Sequence, residues 1–164
     1  DTYAAIVDNI RELLPEATLF TDIIVGFTGE TEQQFENTRA AMRRFGYNMA
    51  YIAIYSPRPG AASSRWDDDI PMDEKKRRLH ELSGELQDYS LEYNRSLVGR
   101  KVTVLVEGKD RKDGYLSGKT EGKLIVRFKS SNENLIGTFA NVEITSVTAL
   151  SMEGALAEEA ALQV

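Results

Sequence analysis

The stretch "TLFTDIIVGFTGETEQQF", residues 18–35, changes character twice. Residues 18–25 are rich in β-branched and aromatic side chains and stop at Gly26, the pattern of a strand. The near-continuous apolar second half predicts burial on both faces, as in a parallel sheet. Thr31 followed by Gln34 is a capping box that opens a helix. Phe35, Thr38, Met42 and Phe45 then form a stripe at helical spacing, and Gly46 closes it. Strand, glycine turn and capped helix make one βα unit, and that unit decides the fold of the first half.

Upstream, Tyr3, Ile6, Val7, Ile10, Leu13 and Leu14 recur at helical spacing until Pro15. Downstream, "YNMAYIAIYS" (47–56) reads as a second strand. Helix, strand, helix and strand in this order predict an α/β arrangement with right-handed crossovers. "SPRPGAASSRWDDDIP" (56–71) is a long irregular segment, and such segments are usually functional or mobile. A helix is expected from about Asp73 to Ser96, with Leu79, Leu82, Leu86, Tyr89 and Tyr93 as its apolar seam and Gly84 a weak point. After Gly99 the period becomes two. "KVTVLVEG", "GYLSGKT", "KLIVRFK" and "TFANVEITSVTAL" predict short strands of a small, all-β, antiparallel, OB-like barrel. The end, "EGALAEEAALQV" (153–164), reads as a short helix or a frayed tail.

With 164 residues the chain has room for one ordinary domain or two small ones. A hydrophobic fraction of 41% and a charged fraction of 28% are globular values. No apolar stretch approaches the ~20 residues that span a bilayer, so no membrane partner is expected. The start is acidic and amphipathic, unlike a signal peptide, and lacks an initiator methionine, so a piece of a longer protein is expected. Without any cysteine the chain holds no disulfide, thiolate nucleophile or cysteine-ligated cluster. The net charge of -6 hides a split. Residues 98–154 carry nine Lys and Arg against seven Asp and Glu, a net of +2, which leaves 11 against 19, or -8, for the rest.

Two candidate lips follow. Gly26 and Gly29 lie at the carboxyl end of a parallel strand, before a helix N-terminus, where α/β sheets bind ligands. Taken alone, a tight turn explains them better, because no full dinucleotide or P-loop pattern is present. Pro57 and Pro59 hold Arg58 stiffly at the end of the next strand; taken alone a rigid exit into the loop explains them slightly better, but two such lips on neighbouring strands strengthen the ligand reading of each. His80, on the flank of a helical seam, reads as solvated, as do Asp67, Asp68 and Asp69. "EKKRR" (74–78) has the charge to touch phosphate, and the plainer reading is an exposed first turn. In the barrel, Arg100, Lys101, Lys109, Arg111, Lys112, Lys119, Lys123, Arg127 and Lys129 are interleaved with Tyr115 and Phe128. Such cations could neutralise phosphates while aromatics stack on bases. Surface solubility remains equally open for them, and Phe128, alternating with Val126, belongs to the core.

"TDIIVGFTGETEQQF", "IAIYSPRPG", "IPMDEKKRRLHEL" and "LVGRKVTVLVEG", in that order, resemble the carboxyl-terminal part of radical-SAM methylthiotransferases. "LSGKT", "IGTFANVEIT" and "LSMEG" resemble their TRAM domain. "SPRPG" and "VEGKDRK" are most similar to the tRNA 2-methylthioadenosine synthase group. The resemblance departs at Thr28, where the family usually has proline, and at Ala61, where threonine usually follows "RPG". Asp22 replaces the first glycine of the general radical-SAM pattern, as is common in this group.

The resemblance implies an enzyme that adds a methylthio group to carbon 2 of an isopentenylated adenosine beside the tRNA anticodon. S-adenosylmethionine and two 4Fe-4S clusters are the implied cofactors, with cluster cysteines that this chain lacks, so the chain alone is expected to be inactive. Ile24, Val25 and Gly26, with Tyr55 and Ser56, would line the adenine side of the S-adenosylmethionine pocket. Residues 1–70 would be the last part of a partial barrel, 71–97 a connecting helix, 98–155 the TRAM domain and 156–164 a tail. The anticodon arm of tRNA is the implied partner, in the cytoplasm. A ribosomal-protein substrate and a non-enzymatic RNA-binding module are the alternatives. The open edges of two lone parallel strands lead us to expect oligomerisation, strand swapping or disorder in the first half.

Overall fold

The computed structural model describes residues 2–157 and divides into two compact units, the first ending at Tyr89 and the second starting at Ser90. In the first unit α1 (Thr2–Leu13) precedes β1 (Phe20–Val25), α2 (Glu32–Phe45) and β2 (Met49–Ile54). The strands pair in parallel, Phe20 beside Met49 through Val25 beside Ile54. The helix α3 (Met72–Arg95) begins in this unit and ends in the next.

Each boundary has a local cause. Thr31 accepts from the Gln34 amide while the Gln34 side chain accepts from the Thr31 amide, the expected capping box. Gly46 ends α2 in the left-handed conformation, its N–H bonded to the Met42 carbonyl. Phe35, Met42 and Phe45 are buried with Val25, Ala50, Leu82 and Leu86 in one core, and burying each large side chain contributes about 1.5–3 kcal/mol.

One expectation fails here. Two strands with helices on one side leave their other face open. Ile24 is 56% exposed and Tyr51, which flanks Asp22 on the same face, is 66% exposed, so β1 is not buried on both faces. In α1 Val7 and Ala4 are buried, whereas Tyr3, Ile6, Leu13 and Leu14 are exposed. Tyr3 still meets Phe45 edge-on at 5.0 Å and shares a 2.6 Å hydrogen bond with the Tyr47 hydroxyl.

The second unit is a closed barrel of five strands, β3 (Lys101–Lys109), β4 (Tyr115–Thr120), β5 (Ile125–Lys129), β6 (Phe139–Val147) and β7 (Met152–Leu156). Around the wall the order is β3, β4, β5, β7, β6. The four expected strands form, and Met152–Leu156 is a fifth strand where a helix or tail was expected; residues 158–164 of that segment lie outside the described residues. The wall is not wholly antiparallel. An odd number of strands cannot alternate direction around a closed ring, and the single parallel pair is β5 with β7. Val104, Val106, Leu116, Val126, Phe128, Val142, Ile144 and Met152 fill the interior, so Phe128 is core as expected. Gly118 and Gly154 also face inward. A Cβ on either would strike the backbone carbonyl of Leu105 or Glu143, so the wall closes only where these side chains are missing.

Candidate functional site

At the carboxyl edge of the parallel pair, β1 runs into Gly26, whose φ of 67° suits glycine. Its N–H donates to Glu30 Oε2 at 2.6 Å. Gly29, at φ 75°, donates its N–H to Asp69 Oδ1 at 2.8 Å. The lip therefore spends two amide donors on carboxylates of the chain itself. At the next strand exit the amide is also taken, here by backbone: the Tyr55 N–H donates to the Val25 carbonyl at 2.9 Å. Ile24 and Ser56 are exposed at this edge, whereas Val25, Gly26 and Tyr55 are buried.

Beneath the lip lies Lys75, only 1% exposed, its stem against Gly26 so closely that a Cβ there would overlap it. Its ammonium pairs with Asp68 and stands 5.3 Å over the Tyr55 ring. Arg78, also buried, donates to Glu30 Oε2 at 2.7 Å, to the Glu30 carbonyl at 2.9 Å and to Glu74 at 2.7 Å. Burial alone would lower its pKa; the bonds to Glu30 and Glu74 outweigh that and raise it. The "EKKRR" segment is thus no exposed first turn. Neither are the aspartates of 67–69 simply solvated, since Asp68 and Asp69 both fasten the loop to the lip.

The loop 56–71 is held by more than charge. Tyr55 donates its hydroxyl to the Ser63 carbonyl at 3.0 Å, and Phe27 meets Tyr55 at 4.7 Å and Trp66 at 5.8 Å, both edge-on. Only Ala62–Arg65 is regular, as a 3-10 turn. Thr28 places its hydroxyl oxygen in a buried position without a hydrogen-bond partner among the described residues. His80 is exposed, as expected. Among the described residues no group of His, Cys, Asp and Glu is arranged to hold a metal ion.

Lys75 and Arg78 are what sequence reasoning missed, and a signal existed. Counting back from Leu86 and Leu82 by four and then three residues lands on Arg78 and Lys75, so the buried face of α3 continues through its cations.

In the barrel the expected cations sort into two groups. Lys109 pairs with Glu133 at 2.7 Å, Lys112 with Glu153 at 3.0 Å, Lys119 with Glu107 at 3.0 Å, and Arg127 lies 3.8 Å from Asp110. Lys101, Arg111, Lys123 and Lys129 are exposed and carry no ion pair among the described residues. Arg100 is exposed as well. The Lys112 ammonium also stands 3.9 Å from the Tyr115 ring centroid, a cation–π contact. The exposed pairs, Lys109 with Glu133 and Lys119 with Glu107, are worth little, roughly 0–1 kcal/mol, so a phosphate can exchange with the carboxylate there, whereas Arg127 and Asp110 are half-buried.

A five-stranded closed barrel with this cationic exterior defines a class, and residues 95–157 match the family model described as the TRAM domain. Beyond the barrel, the chain is 42% identical over 96% of its length to the tRNA-2-methylthio-N(6)-dimethylallyladenosine synthase of Oceanobacillus iheyensis, covering 30% of that protein. The same-named proteins of Bacillus mycoides and Yersinia enterocolitica are both 39% identical to it, over 96% and 94% of the chain, covering 31% and 32% of their lengths. The resemblance to tRNA methylthiotransferases therefore extends along nearly the whole chain, which spans under a third of the relatives it matches.

Proposed function

We propose that this chain is the carboxyl-terminal part of a cytoplasmic radical-SAM tRNA methylthiotransferase. The whole enzyme adds a methylthio group to carbon 2 of isopentenylated adenosine next to the anticodon. The observation that carries the reading is the likeness to the three synthases along at least 94% of the chain, with a TRAM domain at 95–157. In this reading residues 1–70 complete a partial barrel, 71–97 connect, and 98–155 are the RNA-gripping TRAM domain before a tail at 156–164. Among the described residues no helix is long and apolar enough to cross a membrane.

The donor chemistry supports a limited cofactor role. Ile24 offers an exposed apolar side chain and Ser56 an exposed hydroxyl at neighbouring strand ends, a fit for one edge and face of an adenine. The amides of Gly26 and Tyr55 are already bonded, so hydrogen bonds from this lip to an adenine come from carbonyls or from Ser56. When bound, S-adenosylmethionine supplies the methyl group and the radical. The 4Fe-4S clusters do not fit this chain: it has no cysteine, so their ligands belong to other parts of the enzyme and the chain alone is inactive. What this chain does is bound the adenine side of the pocket and hold the tRNA. The anticodon arm is the partner and the barrel cations meet its phosphates.

The test is a hybrid in which this chain replaces the matching third of the Oceanobacillus iheyensis synthase. The reading predicts 2-methylthio-modified adenosine in the tRNA of a host lacking its own synthase, detected by mass spectrometry of nucleosides. A hybrid that accumulates, binds its clusters and leaves the tRNA unmodified contradicts it.

A further inference from the structure

The outer wall of the barrel carries a row that solubility does not explain. Phe139 on β6 lies opposite Leu105 on β3, Leu105 opposite Lys119 on β4, and Lys119 opposite Ile125 on β5. Alternation along each strand turns all four outward. Phe139 is 73% exposed, Leu105 41% and Ile125 45%. Four adjacent strands thus present a continuous apolar strip broken by one ammonium, about 14 Å long at three strand spacings. An ordinary barrel exterior is polar at such positions, and a contiguous apolar strip marks a contact surface.

The charges beside it indicate what is contacted. At Ile125 the strip meets the outer face of the β4–β5 pair, where Arg127 lies opposite Ser117 and Lys129 opposite Tyr115. Neither β4 (YLSGKT) nor β5 (IVRFK) contributes a carboxylate. The acids near these cations come from neighbouring strands and loops: Glu107 reaches Lys119, Asp110 reaches Arg127, and Glu153 on β7 lies opposite Arg127 and accepts from Tyr115. An apolar strip ending on a cationic strand pair complements a partner with flat apolar faces strung on a polyanion. An apolar protein segment would find no use for the cations, and duplex RNA hides its base faces.

We propose that this strip binds unpaired nucleotides of an RNA: bases stack on Phe139 and rest on Leu105 and Ile125, while phosphates meet Lys119, Arg127 and Lys129. The length suits two or three bases, the number a four-stranded RNA-recognition sheet stacks. The proposal rests on reading the barrel as an RNA grip and adds to it that the grip is for single strands.

The test uses the full 164-residue chain. A short unpaired RNA containing 2-aminopurine, the same RNA annealed into a duplex, and unmodified tRNA are titrated against it. The single strand should bind more tightly than the duplex, with a change in 2-aminopurine emission. Phe139→Ala should weaken single-strand binding about tenfold or more, abolish the emission change and leave duplex affinity unaltered. Phe139→Trp should restore both signals. Arg127→Gln with Lys129→Gln should flatten the salt dependence while keeping the emission change. Circular dichroism of each variant confirms folding, which is expected because Phe139 is mostly exposed. If tRNA binds and falls with salt while Phe139→Ala changes nothing, the strip proposal is overturned and the grip stands. If no RNA binds the folded chain, both fall. If Phe139→Ala instead alters the sedimentation of the chain, the strip is a self-contact and the proposal is overturned.

Discussion

Gly26 shows how one missing side chain holds a site together. It permits a backbone angle of 67° and leaves room for the Lys75 stem, so the lip and the helix beneath it interlock. Gly29 has a similar angle of 75°, yet a Cβ there would meet nothing within 4 Å. Gly29→Ala should therefore cost about 1–2 kcal/mol of backbone strain alone. Gly26→Ala should cost more, by up to a few kcal/mol, because Lys75 must also move. Denaturant melts of the two variants measure the difference; equal losses would mean that the Lys75 contact carries no weight. The Thr31–Gln34 cap, Gly46 and Phe128 were legible in the sequence because each acts through its own neighbours in the chain or through strict alternation. For Lys75 and Arg78 helical spacing marks the buried face of α3, but the partners that make burying a cation tolerable, Glu30 and Asp68, arrive from distant segments and are not legible. The lip residues were legible only as strand ends; which of their amides are already bonded depends on Glu30, Asp69 and Val25, whose approach the sequence does not show.

The helix α3 carries buried cations in its first turns and leucines after them, so its stability depends on its ion pairs. Removing one partner of a buried pair leaves an unpaired charge, which costs about 3–5 kcal/mol, discounted here because Asp68 is partly exposed. Asp68→Ala should thus destabilise the first unit, and adding Lys75→Met should recover most of the loss. A double-mutant cycle in urea checks this; additive losses would contradict it. The same network sets an acid limit. A hydrogen bond from Arg77, then one from Arg78, against opposing burial, lower the Glu74 carboxyl from 4.5 to about 2. Burial would raise Glu85, but Arg39 and Arg43 hold it below its ordinary value. Depressed carboxylates stabilise the fold fully above their unfolded values, and that contribution is lost as pH falls through the folded ones. The melting temperature should therefore drop between about pH 4.5 and 2, and Glu74→Gln should flatten that drop. At this scale the sequence concealed β7, because "SMEGAL" is short, lacks clean alternation and finds its place only between β5 and β6.

As a molecule the chain joins a βα unit with one open sheet face to a barrel that is complete in itself. The barrel closes every edge, whereas the β1–β2 pair leaves both outer edges unpaired within the unit, as two strands must. That contrast was legible, since two strand signals in the first half and a run of short strands in the second allow little else. What remained hidden was the sorting of the barrel cations into paired and unpaired, because cross-strand register decides which carboxylate meets which ammonium. In the proposed function RNA binding falls to the barrel despite the net charge of -6 on the whole chain. The most direct measurement is the affinity of this chain for unmodified tRNA across a salt series. Three or four phosphate contacts predict a fall on the order of 10- to 100-fold between 50 and 200 mM salt. A folded chain that binds no tRNA at low salt, or binds it with no dependence on salt, would contradict the account.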